Sequence, residues 1–400
     1  MTSTIEPIAD PGARAETKAI VAVVLLAALM AATLMTAPGV VDALVGAWGY
    51  SHTQAGYAIG IEQFCMSTAA IPAVWWTQCA ARTPIVRGCL LAMVAGNLLC
   101  IAYHDVAVLL VLRMVTGVAA GSVMAACLAV IGASGNPERN FAWWAVGQLT
   151  LGAAVLALLP TVSIGVRASM IFMGLAMAVA ASLPLADWLG VPAQIAGDRH
   201  TAAPKLTLGA TTGLVAVLTF YLAIGGVWTY VGTVGAANNV PPALIAHDLS
   251  IASLFGIAGC VVAALIGGRL RRSIPMCTGY FLLVAVIGAL GLPSGNCGFA
   301  ISTFVLLFAW LLSLPSLLAS VAAHDPSGRL SVMTNLMIGA GLGLGPVLFA
   351  QALRGSHDFR AGILCAAAAM AVSWVLALMT LRLPAPAIRT STYQAHRSAN

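Results

Sequence analysis

Two charged side chains, Glu62 and Arg113, interrupt long apolar stretches of this sequence. A charge at the centre of a membrane-spanning helix is costly, so it normally has a partner or a function. The cysteines and histidines show no metal-ligand spacing, and the chain has no phosphate-binding loop. We therefore expect neither a metal nor a cofactor, and the sequence shows no catalytic constellation of an enzyme. The chemistry that remains is that of a buried carboxyl group and a buried guanidinium group.

The Glu62 carboxyl group is a candidate for proton coupling, together with Arg113. Burial disfavours a carboxylate, whereas a neighbouring guanidinium favours it, and a balance of the two effects allows proton uptake and release near neutral pH. A second interpretation is a fixed ion pair that specifies how the helices pack. In a third interpretation, Arg113 binds an anionic ligand. The sequence leaves all three open.

The composition places these two residues in a membrane protein. Hydrophobic residues make up 60% of the 400 residues and charged residues only 8%, whereas soluble domains contain about 25% charged residues. Eighteen basic and twelve acidic side chains cannot cover the surface of a soluble protein of this size. The composition therefore excludes a soluble enzyme, a disordered chain and a nucleic-acid-binding protein. It predicts a polytopic protein embedded in the lipid bilayer.

Twelve apolar runs are long enough to cross a bilayer, which requires about 20 residues per helix. Helices are expected because an open sheet edge would leave backbone polar groups unpaired in lipid. The predicted fold class is therefore an all-α polytopic membrane protein with 12 transmembrane helices. The runs cover approximately residues 19–45, 52–76, 85–103, 106–132, 141–163, 167–187, 207–232, 244–268, 276–292, 297–320, 328–351 and 361–381.

The lysines and arginines predict the orientation. If the N-terminus is cytoplasmic and the helices alternate, 14 of the 18 basic residues fall on the cytoplasmic side, in agreement with the positive-inside rule. We therefore expect a multi-pass protein of the bacterial inner membrane with both termini in the cytoplasm. Glu62 then lies about 15 Å, and Arg113 about 12 Å, below the outer helix ends. At this similar depth in the same half, the two side chains could meet.

The chain also contains an internal repeat. Arg82 and Arg272 follow the second and eighth runs, and Arg139 and Arg329 follow the fourth and tenth runs, with 190 residues between the members of each pair. Such duplication is typical of folds built from two similar helical bundles. The predicted organisation is a cytoplasmic tail (1–18), a first six-helix half (19–187), a cytoplasmic linker (188–206), a second six-helix half (207–381) and a C-terminal tail (382–400).

Local motifs accompany this organisation. Arg113 and Gly117 form an R-x-x-x-G pattern in the fourth run, and Arg82 and Arg87 are the basic residues of the loop after the second run. The corresponding loop of the second half carries Arg269, Arg271 and Arg272. With the six-plus-six arrangement, these motifs resemble the major facilitator superfamily, although the first loop lacks the family's glycine and aspartate. The resemblance implies secondary active transport by alternating access, with gating by the loop arginines.

Uncharged polar residues are candidates for lining a solute cavity. We expect this role for Gln63, Gln148, Tyr221, Trp228 and Asn335, of which the last three lie on helices that line the cavity in the family. Other polar residues inside the runs are weaker candidates or form hydrogen bonds between helices: Asn97, Tyr230, Trp310 and Gln351. Apolar and aromatic walls with few polar groups favour a mostly apolar or aromatic organic solute.

The predicted protein is a monomer that binds one small molecule and protons. The direction of transport stays open, because an uptake symporter and a drug or metabolite efflux antiporter share the same fold. A transporter-like receptor without transport is a further alternative. A carrier without proton coupling would tolerate Glu62→Gln without loss of solute accumulation, whereas a proton-coupled carrier would not.

Overall fold

The computed structural model describes residues 11–76, 82–134, 137–189, 207–266, 269–292, 295–324, 330–356 and 359–384. Within these ranges the chain forms fifteen α-helices and two short 3₁₀ helices, and it forms no strand. The predicted linker from residue 190 onward, the outermost parts of both tails and Arg329 lie outside the described residues. The side chains of Arg82 and Arg139 also lie outside them.

The described helices follow the twelve predicted runs. In the first half they are α1 (Pro11–Met30), α2 (Ala32–Met35), α3 (Ala37–Trp48), α4 (His52–Thr68), α5 (Ala70–Trp76), α6 (Arg82–Ala102), α7 (Val106–Ala133), α8 (Pro137–Leu158) and α9 (Ile164–Ala181). In the second half they are α10 (Leu208–Ala237), α11 (Pro242–Ile266), α12 (Ser273–Leu290), α13 (Gly295–Ala322), α14 (Leu330–Ser356) and α15 (Phe359–Arg382). The 3₁₀ helices are Leu159–Thr161 and Leu183–Leu189.

The predicted all-helical membrane fold is confirmed. Within the described ranges, ten helices are long and apolar enough to cross a membrane. Helices α1, α2 and α3 together follow the first predicted run, and α4 and α5 follow the second. These two runs are therefore interrupted helices, whereas each of the other ten runs corresponds to one α-helix.

The second half of the first run contains a helix break beside a proline. Helix α2 ends at Met35, and α3 begins at Ala37, with Pro38 in its first turn. Pro38 has no N–H group, so the carbonyl of Leu34, four residues earlier, lacks its usual helical donor. The Thr36 backbone N–H and hydroxyl both donate to the Ala32 carbonyl, at 2.9 and 2.7 Å, respectively. The Leu34 carbonyl accepts a backbone N–H at the end of α2, and its second lone pair can accept a donor from another helix.

Local capping fixes the starts of the two helices that carry the buried charges. At the start of α4, Ser51 and Gln54 form a capping box in which each side chain binds the other residue's backbone N–H. At the start of α7, the Asp105 carboxylate accepts hydrogen bonds from the backbone N–H groups of Ala107 and Val108, at 2.9 and 3.1 Å. Because both starts are fixed, the depths of Glu62 and Arg113 are fixed as well.

Alternating helix directions give the bundle two faces. We call the terminal face the one where α1 begins and α15 ends, and the distal face the one where α3 ends and α4 begins. Each face carries an ion pair within the first half. Arg87 binds Asp187 at 2.7 Å on the terminal face, and Arg167 binds Asp42 at 2.7 Å on the distal face.

Among the described residues, three helix pairs make the most extensive contacts between the two halves: α4 with α14, α8 with α11, and α3 with α10. Glycines allow the backbones of α4 and α14 to touch, because a Cβ atom on Gly60 would overlap the Gly343 carbonyl and one on Gly343 would lie 2.7 Å from the Phe64 Cβ. Helix α14 uses two other glycines, Gly341 and Gly345, for a similar approach to α10. Small residues at such positions permit close helix packing in membranes.

The helix starts keep the 190-residue offset of the sequence repeat. Helices α4, α6 and α7 begin 190, 191 and 189 residues before α11, α12 and α13, respectively. The same order of helices is therefore built twice. Residues separated by this offset occupy comparable positions in the two halves.

Candidate functional site

Glu62 and Arg113 form a buried ion pair. Arg113 Nη1 lies 3.4 Å from Glu62 Oε1, and the two side chains are 2% and 6% exposed, respectively. Helices α4 and α7 supply the two residues at the matching depth that the sequence predicts. The structure thus brings together two side chains that the sequence places at one depth.

The R-x-x-x-G spacing explains how α7 comes close enough for this contact. Residues i and i+4 lie on the same face of a helix, so Arg113 and Gly117 both face α4. A Cβ atom at Gly117 would lie 2.5 Å from the Glu62 carbonyl oxygen, and one at Gly121 would overlap the Met66 carbonyl. Only glycine leaves room for α7 at these points. The motif therefore combines a charged partner for Glu62 with the close approach that lets the two side chains meet.

Three further groups hold the Arg113 guanidinium. Its Nη2 donates to Asn97 Oδ1 at 3.0 Å and to Cys100 Sγ at 3.3 Å. The Asn97 amide is oriented by its own donation to the Met93 carbonyl at 2.8 Å. On another side, the Arg113 Cζ atom lies 4.9 Å from the centre of the Phe172 ring, within the range of a cation–π contact. The guanidinium thus keeps several contacts that do not depend on the charge of Glu62.

The Glu62 carboxyl group has unequal surroundings. Oε1 lies next to Arg113 and 3.5 Å from the Thr33 hydroxyl. Oε2 is buried and has no hydrogen-bond partner among the described residues. A buried carboxylate oxygen without a partner is unfavourable, whereas protonation of the carboxyl group removes the charge that causes the cost. The geometry therefore suits a group that exists in both protonation states.

A cavity of about 740 Å³ lies between the two halves beside this pair. It extends from the middle of the helices towards the terminal face. Four of the five predicted cavity residues belong to its lining: Gln63, Gln148, Tyr221 and Asn335. Other lining residues include Met35, Met66, Ser67, Met124, Trp144, Trp310, Leu314, Leu318, Ala322 and Thr334. No Asp, Glu, Lys, Arg or His belongs to the lining that the described residues form.

Trp228, the fifth predicted cavity residue, lies outside this lining. Its indole N–H donates to the Leu34 carbonyl at 2.8 Å, which is the carbonyl left without its helical donor by Pro38. Leu34 itself lines the cavity. Trp228 therefore joins the two halves next to the closed end of the cavity.

The loop arginines have different surroundings from one another. Arg87 is half-exposed and pairs with Asp187 within the first half. The three arginines of the second half are exposed and lie between α11 and α12: Arg269, Arg271 and Arg272. The structure describes no contact of the Arg82 side chain, so the predicted gating role of these arginines stays a prediction.

Sequence reasoning did not identify several residues at these sites. Thr33 and Phe172 contact the ion pair, and Trp144 lines the cavity. A threonine, a phenylalanine or a tryptophan inside an apolar run is common and carries no signal of its own. Asn97 was a weak cavity candidate, and the structure places it at the guanidinium group instead. Only the arrangement of α2, α6, α8 and α9 in the folded bundle distinguishes these residues from ordinary lipid-facing or core positions.

Comparisons with solved structures give the fold a context. The D-xylose-proton symporter superimposes with a TM-score of 0.72 at 11% identity, covering 92% of this chain and 98% of that chain. The nucleoside transporter NupG gives a TM-score of 0.66 at 12% identity, covering 92% and 100%. The human organic anion transporter MFSD10 (TETRAN) gives 0.64 at 16% identity, also covering 92% and 100%. At such low identity, these similarities establish the fold.

The sequence comparison identifies the family. No curated protein gives a significant match to the sequence. The family model of the Major Facilitator Superfamily matches residues 21–346, which is more than three quarters of the chain. The fold, the R-x-x-x-G contact and this match agree, and the chain belongs to the Major Facilitator Superfamily.

Proposed function

We propose that this protein is a proton-coupled secondary active transporter of a small organic solute, with Glu62 as the residue that binds and releases the proton. The observation that carries the proposal is the buried Glu62–Arg113 pair, in which Glu62 Oε2 has no partner among the described residues. A purely structural ion pair gains most when all its polar atoms are satisfied. The unsatisfied oxygen favours a carboxyl group that changes protonation state.

The surroundings of Arg113 support this role. When Glu62 is ionised, the guanidinium pairs with it; when Glu62 is protonated, Asn97, Cys100 and Phe172 still hold the guanidinium. Proton binding therefore weakens one contact between α4 and α7 without leaving a buried cation unattended. Helix α4 also packs on α14 of the second half. A change at Glu62 thus acts on a helix that connects the two halves.

The open and closed ends of the cavity support alternating access. On the distal side, hydrogen bonds join the halves: Tyr230 donates to the His52 carbonyl at 2.8 Å, and Gln351 donates to the Tyr57 hydroxyl at 2.6 Å. On the terminal side, the cavity reaches Ala322, the last residue of α13. With the termini in the cytoplasm of a bacterium, as the basic residues predict, this conformation faces inward across the inner membrane.

The glycines of α14 provide a surface along which the halves can rock. Gly339 and Gly343 face α4, whereas Gly341 and Gly345 face α10. Because glycines lack side chains, the contact of α14 with α4, which belongs to the other half, has no interlocking knobs that resist small displacements. Movement of one half against the other is the motion expected for a fold of two repeats.

Transport by purified protein in proteoliposomes tests the proposal. We expect an imposed pH gradient to drive solute flux in the wild type, with a panel of aromatic carboxamides, aromatic acids, sugars and cationic drugs as candidate solutes. Glu62→Gln keeps the side-chain volume but cannot ionise, so flux in this variant should no longer respond to the gradient. Asp248→Asn is the matched control, since Asp248 is a buried carboxyl group of the second half. Equal gradient dependence in the wild type and Glu62→Gln would refute proton coupling through Glu62.

A further inference from the structure

We infer that the solute is an uncharged, planar aromatic molecule with a hydrogen-bonding edge, held between an amide wall from the first half and an aromatic wall from the second half. The amide wall consists of Gln63 and Gln148, and the aromatic wall of Tyr221 and Trp310. This inference rests on the proposed transport function, because it assigns the solute class to the cavity between the halves.

The amide wall supplies hydrogen-bonding groups that the protein leaves unused. Gln63 on α4 is 3% exposed and Gln148 on α8 is 7% exposed, and both line the cavity. The side-chain nitrogen of each has no hydrogen-bond partner among the described residues. A primary amide offers both donors and acceptors, and leaving such a group unpaired in a buried position is unfavourable. A solute with an amide-like edge satisfies both glutamines at once.

The aromatic wall supplies flat apolar surface. Tyr221 on α10 and Trp310 on α13 meet edge to face, with ring centroids 6.3 Å apart and an angle of 83° between the ring planes. Both rings line the cavity. Rings arranged in this way form a corner rather than a closed stack, and an aromatic solute can add a further offset-stacked or edge-to-face contact. A saturated solute of similar size gains less from this surface.

The uncharged lining of the cavity argues against an ionic solute. Among the described residues, no ionisable acid or base lines the cavity, so a charged solute would lose its hydration without gaining a counter-charge. Arg113 is the arginine that the sequence places inside a helix. Its guanidinium is already engaged by Glu62 and Asn97, and Arg113 does not belong to the lining of the cavity. The geometry therefore argues against the interpretation in which Arg113 binds an anionic solute.

A polyol fits the cavity less well than an aromatic molecule. Apart from the two walls, the lining is dominated by alanine, leucine, isoleucine and methionine side chains. Each sugar hydroxyl that enters such a surface needs a hydrogen-bond partner to replace water. Because Gln63 and Gln148 belong to the first half and Tyr221 and Trp310 to the second, a planar solute that uses both walls bridges the halves. Its binding is then sensitive to their relative position.

Calorimetric titration of the purified full chain in lipid nanodiscs tests this solute class. Four probes share one flat scaffold and differ in charge: nicotinamide and quinoline-3-carboxamide are neutral, nicotinate is an anion and 1-methylnicotinamide is a cation. D-Xylose serves as the neutral polyol. We expect both carboxamides to bind, the larger one more tightly, and the charged probes and the sugar to bind at least about tenfold more weakly, a difference of about 1.4 kcal/mol.

Variants assign the binding to the two walls. Gln63→Leu and Gln148→Leu should each weaken carboxamide binding about tenfold by removing an amide, and Trp310→Leu should weaken quinoline-3-carboxamide more than nicotinamide. Trp374→Leu is the control for loss of a tryptophan, because Trp374 packs on Tyr280 inside the second half and lies outside the cavity lining. If Trp310→Leu and Trp374→Leu lost equal affinity for quinoline-3-carboxamide, the aromatic wall would not contribute to solute binding.

The wild-type titrations can overturn the inference without any variant. Binding of nicotinate, 1-methylnicotinamide or D-xylose as tight as that of the carboxamides would contradict it, and so would the absence of carboxamide binding. These titrations use no pH gradient, so their outcome is independent of proton coupling. If the carboxamides bind but the pH gradient drives no flux, the proposed transport function fails while the solute class stands. If flux occurs only with a charged solute or a sugar, the solute class fails and the transport function stands.

Discussion

The two halves share one scaffold but differ in their buried charges. At the 190-residue offset, the positions of Glu62, Arg113 and Asn97 are occupied by Ala252, Thr303 and Ile287 in the second half. The three counterparts are buried, and the Thr303 hydroxyl donates to the Ala300 carbonyl of its own helix at 2.9 Å. The scaffold therefore packs without an ion pair at this place. The proton exchange proposed above would give the pair in the first half a role beyond packing.

The second half instead fills its interior with aromatic rings. The Tyr280 hydroxyl forms a hydrogen bond with Ser373 at 2.7 Å, and Ser373 in turn donates to the Ala216 carbonyl at 2.7 Å. Phe220 lies edge to face with Tyr280, with ring centroids 5.5 Å apart. Hydroxyl chains of this kind satisfy buried polar groups without formal charge. The comparison suggests a division of roles, with proton binding in the first half and aromatic solute contacts in the second.

The largest expected effect comes from replacing Arg113 of the first half by threonine, the residue at the equivalent position of the second half. Arg113→Thr leaves Glu62 buried without its counter-charge, and breaking a buried pair in this way typically costs about 3–5 kcal/mol. We expect a marked fall in the midpoint of thermal unfolding in detergent. The double variant Glu62→Ala/Arg113→Thr removes both charges, so it should recover most of the stability while losing the response to a pH gradient.

Thr303→Val in the second half is the matched control for this series. It removes a hydroxyl that is satisfied within its own helix, so the loss should be no more than about 1 kcal/mol. If the double variant is as unstable as Arg113→Thr alone, the ion pair is a structural requirement of the first half. The absence of an ion pair at the equivalent place in the second half would then say nothing about the function of the pair in the first half.

A smaller effect is expected from changing the partner of Arg113 rather than Arg113 itself. Asn97→Asp is nearly isosteric and adds a carboxylate 3.0 Å from the guanidinium. This carboxylate competes for Arg113 and repels ionised Glu62, so protonated Glu62 should persist to higher pH. The midpoint of the pH dependence of transport should move upward, by about one pH unit for each 1.4 kcal/mol of interaction.

Asn140→Asp controls for the conversion of an amide to an acid elsewhere in the first half. Asn140 is also buried, at the start of α8, where its amide donates to the Ser134 hydroxyl at 2.7 Å. We expect the pH midpoint of this variant to match that of the wild type. A downward shift in Asn97→Asp, or equal shifts in both variants, would show that Asn97 does not act through the Glu62–Arg113 pair.

Much of the first-half site could be predicted from the sequence because depth along a helix is simple to count. A shortage of charge predicts the membrane, and the rise per residue predicts that Glu62 and Arg113 lie at one level. Rotation of the helices about their axes is harder to predict. It decides that Asn97 and Phe172 reach the guanidinium, and it depends on backbone contacts such as that of Gly117 with Glu62. No periodicity in the α7 sequence reveals that contact.

Trp228 illustrates a different limit. It lies seven residues after Tyr221, which is nearly two turns, so the two side chains share a face of α10. Tyr221 lines the cavity, whereas Trp228 lies about 10 Å further towards the distal face. There the halves touch, and the indole N–H binds the Leu34 carbonyl instead of a solute. Membership of a cavity-lining helix could be predicted from the resemblance, but the depth at which the cavity closes could not.

The smallest expected effect concerns the contact between the halves at Trp228. The indole N–H replaces the donor that Pro38 cannot provide, so its removal should weaken the state with a closed distal side by about 1 kcal/mol, the net value of one hydrogen bond. In Trp228→Phe, the population with a separated distal side should rise about fivefold. Spin labels at the exposed positions Tyr103 and Ala237, in a cysteine-free background, measure that separation by pulsed electron resonance.

Trp374→Phe, within the second half, should leave the distances unchanged. If both variants give the wild-type distribution, the bond between Trp228 and Leu34 does not hold the halves together, and the distal closure rests on other contacts, such as the hydrogen bonds of Tyr230 with His52 and of Gln351 with Tyr57.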